Sequence, residues 1–273
     1  MTLKNYLYSI LLLGLALILV GCQSQKSQSK AKDASWTAVK KRGKLIVATE
    51  TGFAPFAFKT LVDGKDTIVG SDVDMVKAIA DQLGVEVEFK EMSFDNVLAT
   101  VQSGKADIGI SGISITKERQ KSFLFSTGYY TAKTTLMIQK SQEEKLVSID
   151  DFADKSIASQ KGSIQETLAK EVFSDAQQVS LPQTGEMVME LKQGKVEGIL
   201  LEEPIAKAYV AKNNDLMISS LDIPSDNSDQ YGILLPKTSQ ALANKIDSVL
   251  KPMVTSGEVD QMIQDAFNLS VNQ

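Results

Sequence analysis

The chain of 273 residues contains no histidine and only one cysteine, Cys22. Without histidine it lacks the side chain that most readily moves protons near neutral pH, and without a reactive body cysteine it lacks the usual nucleophile. One cysteine cannot close an internal disulfide or build a thiolate metal site, so the body must be held by its core. Positive charge is also in deficit: the net charge of −5 argues against a nucleic-acid surface and mainly promotes solubility. No Gly-x-x-x-x-Gly-Lys-Ser/Thr phosphate loop is present. These absences leave no cofactor or metal to expect and disfavour an enzyme, although Glu, Lys or Tyr can still carry acid-base chemistry.

The N-terminus carries a pattern of its own. Lys4 supplies positive charge, residues 10–20 form an uninterrupted small and apolar run, and the run ends in Leu19-Val20-Gly21-Cys22. That run is too short to span a bilayer comfortably and reads as a secretion signal over residues 1–21. Its cysteine end predicts lipidation of Cys22, with palmitate among the acyl chains; an ordinary cleaved signal or a short anchor is the alternative. Residues 22–35 are mostly Gln, Ser, Lys and Ala, which predicts a flexible tether, with ordered structure from near Trp36.

With 43% hydrophobic and 23% charged residues, the body is long enough for one large domain or two lobes. Residues 45–49 read as a strand, residues 53–58 as a loop around Pro55, and Val73, Val76, Ile79, Ala80 and Leu83 recur at helical spacing. Alternating Val85, Val87 and Phe89 predict a strand, Val97, Leu98 and Val101 a helix, and residues 106–110 another strand. A second cycle follows: strand 156–159, helix 163–173, strand 179–181, helix 185–193 and strand 196–201. Strand-helix alternation implies mainly parallel sheets, which collect ligands beyond the carboxyl ends of their strands. Gly104-Lys105-Ala106-Asp107-Ile108-Gly109-Ile110 echoes Gly194-Lys195-Val196-Glu197-Gly198-Ile199-Leu200, which favours two similar lobes over one continuous sheet.

At the end of the first cycle lies Ser111-Gly112-Ile113-Ser114-Ile115-Thr116-Lys117-Glu118-Arg119. It reads as a strand end feeding a helix, with small residues that let a ligand approach, N–H groups at a helix start and the planar fork of Arg119: a carboxylate cradle. Taken alone, an arginine after Lys-Glu on a helix is usually a solvated surface charge, and only the surrounding motifs favour the cradle. Together with Gly70-Ser71-Asp72-Val73-Asp74, Gly104-Lys105-Ala106-Asp107, Phe125-Ser126-Thr127-Gly128-Tyr129-Tyr130 and Phe53-Ala54-Pro55-Phe56, it resembles the polar amino-acid-binding lipoproteins of bacterial ABC importers. The likeness runs from about Lys44 to Phe267.

The resemblance implies an α/β, two-lobed, type II periplasmic-binding-protein-like fold, each lobe a mainly parallel sheet flanked by helices. Residues 36–130 and 231–273 would form the outer lobe and residues 131–230 the inner lobe, joined by hinge crossings near 130–135 and 229–233. It also implies that Arg119 binds a ligand α-carboxylate with help from Ser111, Gly112 and Ser114, and that Ser163 and Ile164 donate to it after closure. Glu202, where most members carry aspartate, would hold the ammonium, with neighbouring Glu203 as the alternative. Phe53 and Phe94 would sandwich the ligand side chain, or simply pack in the core. Tyr129 and Tyr130 read as hinge or core residues, and Asp72 and Asp74 as helix-capping and dipole-complementing residues, not as a metal pair.

Glu50 occupies a position that is often acidic in members binding basic amino acids. Arginine or lysine is therefore the first expectation, with glutamine or cystine if Glu50 is solvated or paired within the protein. The implied partners are a free amino acid, a permease with a separate ATPase, and the membrane through the lipid anchor, with the protein acting as a monomer on the extracytoplasmic face of a Gram-positive cell. The alternatives are an enzyme of the same fold, such as a cyclohexadienyl dehydratase-like protein, and an adhesin or sensor using the same pocket.

Overall fold

The computed structural model describes residues 33–224 and 230–272. The expected signal peptide, Cys22 and the tether up to residue 32 lie outside the described residues, as do 225–229 and 273. The first pass of the chain is α1 (Ser35–Arg42), β1 (Lys44–Thr49), β2 (Gly52–Phe53), β3 (Ala57–Val62), β4 (Lys65–Val69), α2 (Ser71–Leu83), β5 (Glu86–Glu91), α3 (Phe94–Gln102), β6 (Ile108–Gly109), α4 (Lys117–Ser122) and β7 (Phe123–Phe125). After β8 (Tyr130–Thr131) come β9 (Thr134–Gln139), β10 (Ser156–Gln160), α5 (Ile164–Val172), β11 (Gln177–Leu181), α6 (Thr184–Lys192), β12 (Gly198–Glu202), α7 (Glu203–Lys212) and β13 (Leu216–Ile218). The chain returns through β14 (Gln230–Tyr231) to β15 (Leu234–Pro236), α8 (Gln240–Ser256) and α9 (Glu258–Val271).

Two five-stranded sheets share one plan, in the orders β5-β1-β6-β15-β7 and β11-β10-β12-β9-β13. In each, three parallel strands are followed by one that runs antiparallel to both neighbours, β15 in the first sheet and β9 in the second. The antiparallel strand is in each case the one entered directly from a lobe crossing. The crossings themselves, β8 and β14, pair antiparallel with Tyr130 opposite Tyr231. Asp229, at the edge of the second expected crossing, lies outside the described residues.

The echo between 104–110 and 194–200 has a physical cause. Gly104 and Gly194 both adopt φ +70 after a helix. Three residues on, each carboxylate accepts an N–H from the adjacent strand: Asp107 Oδ2 from Ile46 at 2.7 Å and Glu197 Oε2 from Ser156 at 2.8 Å. The same turn and the same strand-edge contact are built twice. Within each lobe, burial follows the apolar periodicity: Val73, Val76, Ile79 and Ala80 of α2 are buried. Burying a valine or isoleucine side chain stabilises by about 1.5–3 kcal/mol.

Three local expectations are corrected. Residues 53–58 are not simply a loop, because β2, β3 and β4 form an antiparallel sheet whose tip, Asp63-Gly64, has φ +51 and +75, the turn geometry that matches strand twist. The strand expected over 106–110 is confined to Ile108–Gly109. The tether also ends sooner than residue 35. Asp33 accepts the Ala241 N–H and Ser35 Oγ accepts the Leu242 N–H at 3.1 Å, so the start of the body caps α8, whose own N-cap Ser239 makes no side-chain cap bond. Among the described residues, no helix is long and apolar enough to cross a membrane.

Candidate functional site

The carboxyl ends of β1, β6, β10 and β12 converge between the sheets. A small cavity of about 10 Å³ there is lined by Phe53, Phe94, Gly112, Ser114 and Arg119 from the first lobe and by Gln160, Ser163, Ile164, Gln165 and Glu202 from the second. A groove of about 490 Å³ shares Arg119, Ser163 and Ile164 with it and continues along Thr167 and Leu168 of α5. Most of the residues expected from the sequence are thus brought together. Glu50 and Ser111 do not line the cavity, and Gln160 and Gln165 are additions.

The cradle differs in detail from its expected form. The segment after β6 is a loop, and α4, only six residues long, begins at Lys117, where Thr116 Oγ1 accepts the Arg119 N–H at 3.1 Å. Ser111 is fully buried and its Oγ accepts the Glu50 N–H at 3.3 Å, tying two strand ends together. The Gly112 N–H donates to Asp72 Oδ2 at 3.2 Å and is turned away from the cavity. Gly112 has φ +56, and a Cβ there would lie 2.3 Å from the Phe53 ring, so close approach and backbone conformation both demand glycine.

Arg119 is positioned by both lobes. Its Nη1 donates to the Ser114 carbonyl at 2.9 Å and its Nη2 to the Gly162 carbonyl, across the cleft, at 3.1 Å. The guanidinium carbon lies 5.4 Å from the centre of the Phe94 ring, within cation–π range. Phe53 and Phe94 are each 4% exposed, so they are packed residues that also face the cavity. Across from them, Ser163 caps α5 by accepting the Glu166 N–H at 3.2 Å, while its own N–H donates to Gln160 in a turn at 3.1 Å. That engagement uses the Ser163 N–H and leaves its hydroxyl proton and the first turn at Ile164, where the helix dipole favours an anion, facing the cavity.

Glu202 ends β12 and is almost fully buried. Burial pushes its carboxyl up to about 7, against hydrogen bonding from the Gln165 side chain and the charge of Arg119. Glu203 begins α7, pairs with Lys207 at 2.7 Å and does not line the cavity. Glu50 is 2% exposed at the lobe boundary. Its Oε1 accepts the Gly52 N–H at 3.2 Å, while Oε2 is buried without a hydrogen bond of normal geometry. Burial raises Glu50 to about 7, and the Gln160 side chain and Thr184 N–H of the second lobe only partly offset this. Gln160 therefore faces both Glu50 and the cavity.

Asp72 and Asp74 lie in the first turn of α2, whose N-cap residue is Gly70 and has no side-chain cap bond. Asp72 is wholly buried, and burial lifts it to about 7 against hydrogen bonds from Tyr129 and Gly112. Among the described residues, no group of three or more Cys, Asp or Glu side chains is placed to hold a metal ion. Gln160 was missed because it is uncharged; its place at the carboxyl end of a strand was the available signal.

Comparison with known proteins adds an independent line. A family model for bacterial extracellular solute-binding proteins, family 3, matches residues 45–268. An amino acid ABC transporter substrate-binding protein, AbpA from Streptococcus pneumoniae Canada MDR_19A, solved bound to L-arginine, matches with a TM-score of 0.83 at 48% identity, over 87% of this chain and 100% of that one. The arginine-binding extracellular protein ArtP of Bacillus subtilis (strain 168) is 30% identical over 97% of this chain and 98% of its own length. An ancestral amino-acid-binding protein, AncCDT-1, a precursor of cyclohexadienyl dehydratase, matches with a TM-score of 0.76 at 32% identity, over 85% of this chain and 99% of its own.

Proposed function

Because the chain belongs to the bacterial extracellular solute-binding proteins, family 3, and has the type II periplasmic-binding-protein fold, we propose that it captures arginine or lysine and delivers it to the permease of an ABC importer. The permease and its ATPase are separate subunits in this reading. Cys22 carries the lipid that holds the monomer to the outer face of the cell membrane. Residues 36–130 with 231–273 close against residues 131–230 about the β8–β14 ribbon.

Arg119 and the first turn of α5 receive the ligand α-carboxylate, and Glu202 receives its ammonium. Phe53 and Phe94 flank the aliphatic stem of the side chain, whose cationic tip reaches toward Glu50 past Gln160, the residue that faces both the cavity and Glu50. The observation that carries the basic-ligand reading is the burial of Glu50, whose Oε2 has no hydrogen bond of normal geometry and whose burial the Gln160 side chain and Thr184 N–H only partly offset. A buried carboxylate is costly unless a cation and donors satisfy it, and a guanidinium or ammonium tip does both. AbpA bound to L-arginine and arginine-binding ArtP support the same choice.

One observation favours a neutral ligand such as glutamine, or cystine. Burial raises the Glu50 carboxyl to about 7 and so favours its neutral form, which Gln160 can satisfy without a cation. The enzyme alternative has one observation too, since a carboxyl raised to about 7 beside Arg119 is what a general acid requires. A thermal-shift screen against the common amino acids tests the proposal. Ligand at a hundredfold excess over its dissociation constant adds about 2.7 kcal/mol, which raises the melting midpoint by about 5–10 °C. No shift with any amino acid refutes capture, and turnover of a cyclohexadienyl acid selects the enzyme.

A further inference from the structure

Asp72 is fully buried next to the cavity without lining it. Its Oδ1 accepts the Tyr129 hydroxyl proton at 2.9 Å, and its Oδ2 accepts the Gly112 N–H at 3.2 Å. Each contact leads to a different part of the closing machinery. Gly112 lies in the loop that presents Ser114 and leads into Arg119, and its bare Cα lies against the Phe53 ring. Tyr129 precedes β8, and its N–H donates to the Tyr231 carbonyl of β14 at 2.9 Å. The same loop is bound to the return crossing by Ile115 N–H to Gln230 O at 2.8 Å and Gly232 N–H to Ile113 O at 3.0 Å.

We propose that Asp72 is a positioning residue for ligand capture, clamping the Gly112 peptide to the hinge tyrosine Tyr129 and so holding Ser114, Arg119 and Phe53 in register with the hinge. The inference rests on the reading of this cavity as the amino-acid site. A glycine with φ > 0 has the widest conformational freedom of any residue, so a loop that turns on it needs an external tether to remain in one state. Ordering such a loop at the moment of binding is charged against affinity, and the clamp removes that cost beforehand. The first turn of α2 suits the task, since its dipole favours a carboxylate there.

The test titrates arginine, lysine, glutamine and cystine by calorimetry into the mature protein as wild type, Asp72→Ala, Asp72→Asn, Tyr129→Phe and Asp72→Ala/Tyr129→Phe, with the unliganded melting midpoint of each. Asp72→Ala is expected to weaken binding of the wild-type ligand by about 10- to 100-fold. Asp72→Asn restores affinity to within about 5-fold, because its carbonyl accepts from Gly112 while its amide donates to the Tyr129 oxygen. Tyr129→Phe costs less than Asp72→Ala, and the double variant is little worse than Asp72→Ala alone. A lowered melting midpoint with unchanged affinity in folded Asp72→Ala, or no rescue by Asp72→Asn, overturns the positioning role while leaving the amino-acid site intact. Failure of wild type to bind any of the four ligands overturns the functional reading and this proposal with it.

Discussion

Replacing Glu50 by glutamine removes one titration from the boundary between the lobes. In the folded protein burial raises this carboxyl from an ordinary 4.5 to about 7. A carboxyl raised in this way binds protons more tightly when folded than when unfolded. Its stabilising contribution is complete below about pH 4.5 and is lost as the pH rises through about 7. The whole excursion is worth about 3 kcal/mol. Glu202 and Asp72 are raised to about 7 as well, so the wild-type profile alone does not isolate Glu50. The difference between wild type and Glu50→Gln does. Without ligand, the two should agree within about 1 kcal/mol at pH 5, where an amide replaces a neutral acid of the same shape. At pH 8.5 the variant should be more stable by about 2–3 kcal/mol, or roughly 5–10 °C in melting midpoint. Scanning calorimetry from pH 5 to 9 measures this. Parallel profiles would show that Glu50 ionises as a solvated glutamate, and the basic-ligand reading would lose its support.

Arg119→Ala should weaken ligand binding by about 2–5 kcal/mol, and Arg119→Lys should recover only part of this because an ammonium cannot form the bidentate fork; calorimetric titration measures both. Near-normal affinity in the alanine variant would place the ligand carboxylate elsewhere. Gly112→Ala should lower both stability and affinity, since the new Cβ meets the Phe53 ring at 2.3 Å in a backbone conformation unfavourable to alanine. The strain is about 1–2 kcal/mol before Phe53 moves, measurable by urea unfolding. Asp33→Ala uncaps α8 and should cost about 1 kcal/mol, or roughly 2–4 °C, without changing affinity.

What the sequence disclosed was mostly periodic or repeated. Alternating Val85 and Val87 and the helical spacing from Val73 to Leu83 announced elements whose cores are apolar. The Gly104 and Gly194 turns were legible as an echo because each builds the same carboxylate-to-strand contact. Asp63-Gly64 also carried a turn signal, but Pro55 drew the reading toward a loop for the residues before it. The lone antiparallel strand in each sheet depends on where the chain re-enters a lobe, which no local pattern encodes. Site detail was lost to long-range contacts: Asp72 reaches Gly112 across 40 positions of sequence, and the Glu50 carboxyl meets Gln160 and Thr184 of the second lobe. Gln160 had no charge to single it out, although its strand-end position was a usable signal.

The most direct measurement is calorimetry at pH 8 of arginine, lysine, glutamine and cystine binding to wild type and Glu50→Gln. Arginine or lysine should bind wild type tightest, and the substitution should weaken that ligand at least about tenfold, by loss of a charge-assisted contact, with little effect on glutamine. If glutamine or cystine binds tightest and Glu50→Gln leaves the ranking unchanged, Glu50 does not select the ligand and the proposed capture of a basic amino acid is wrong.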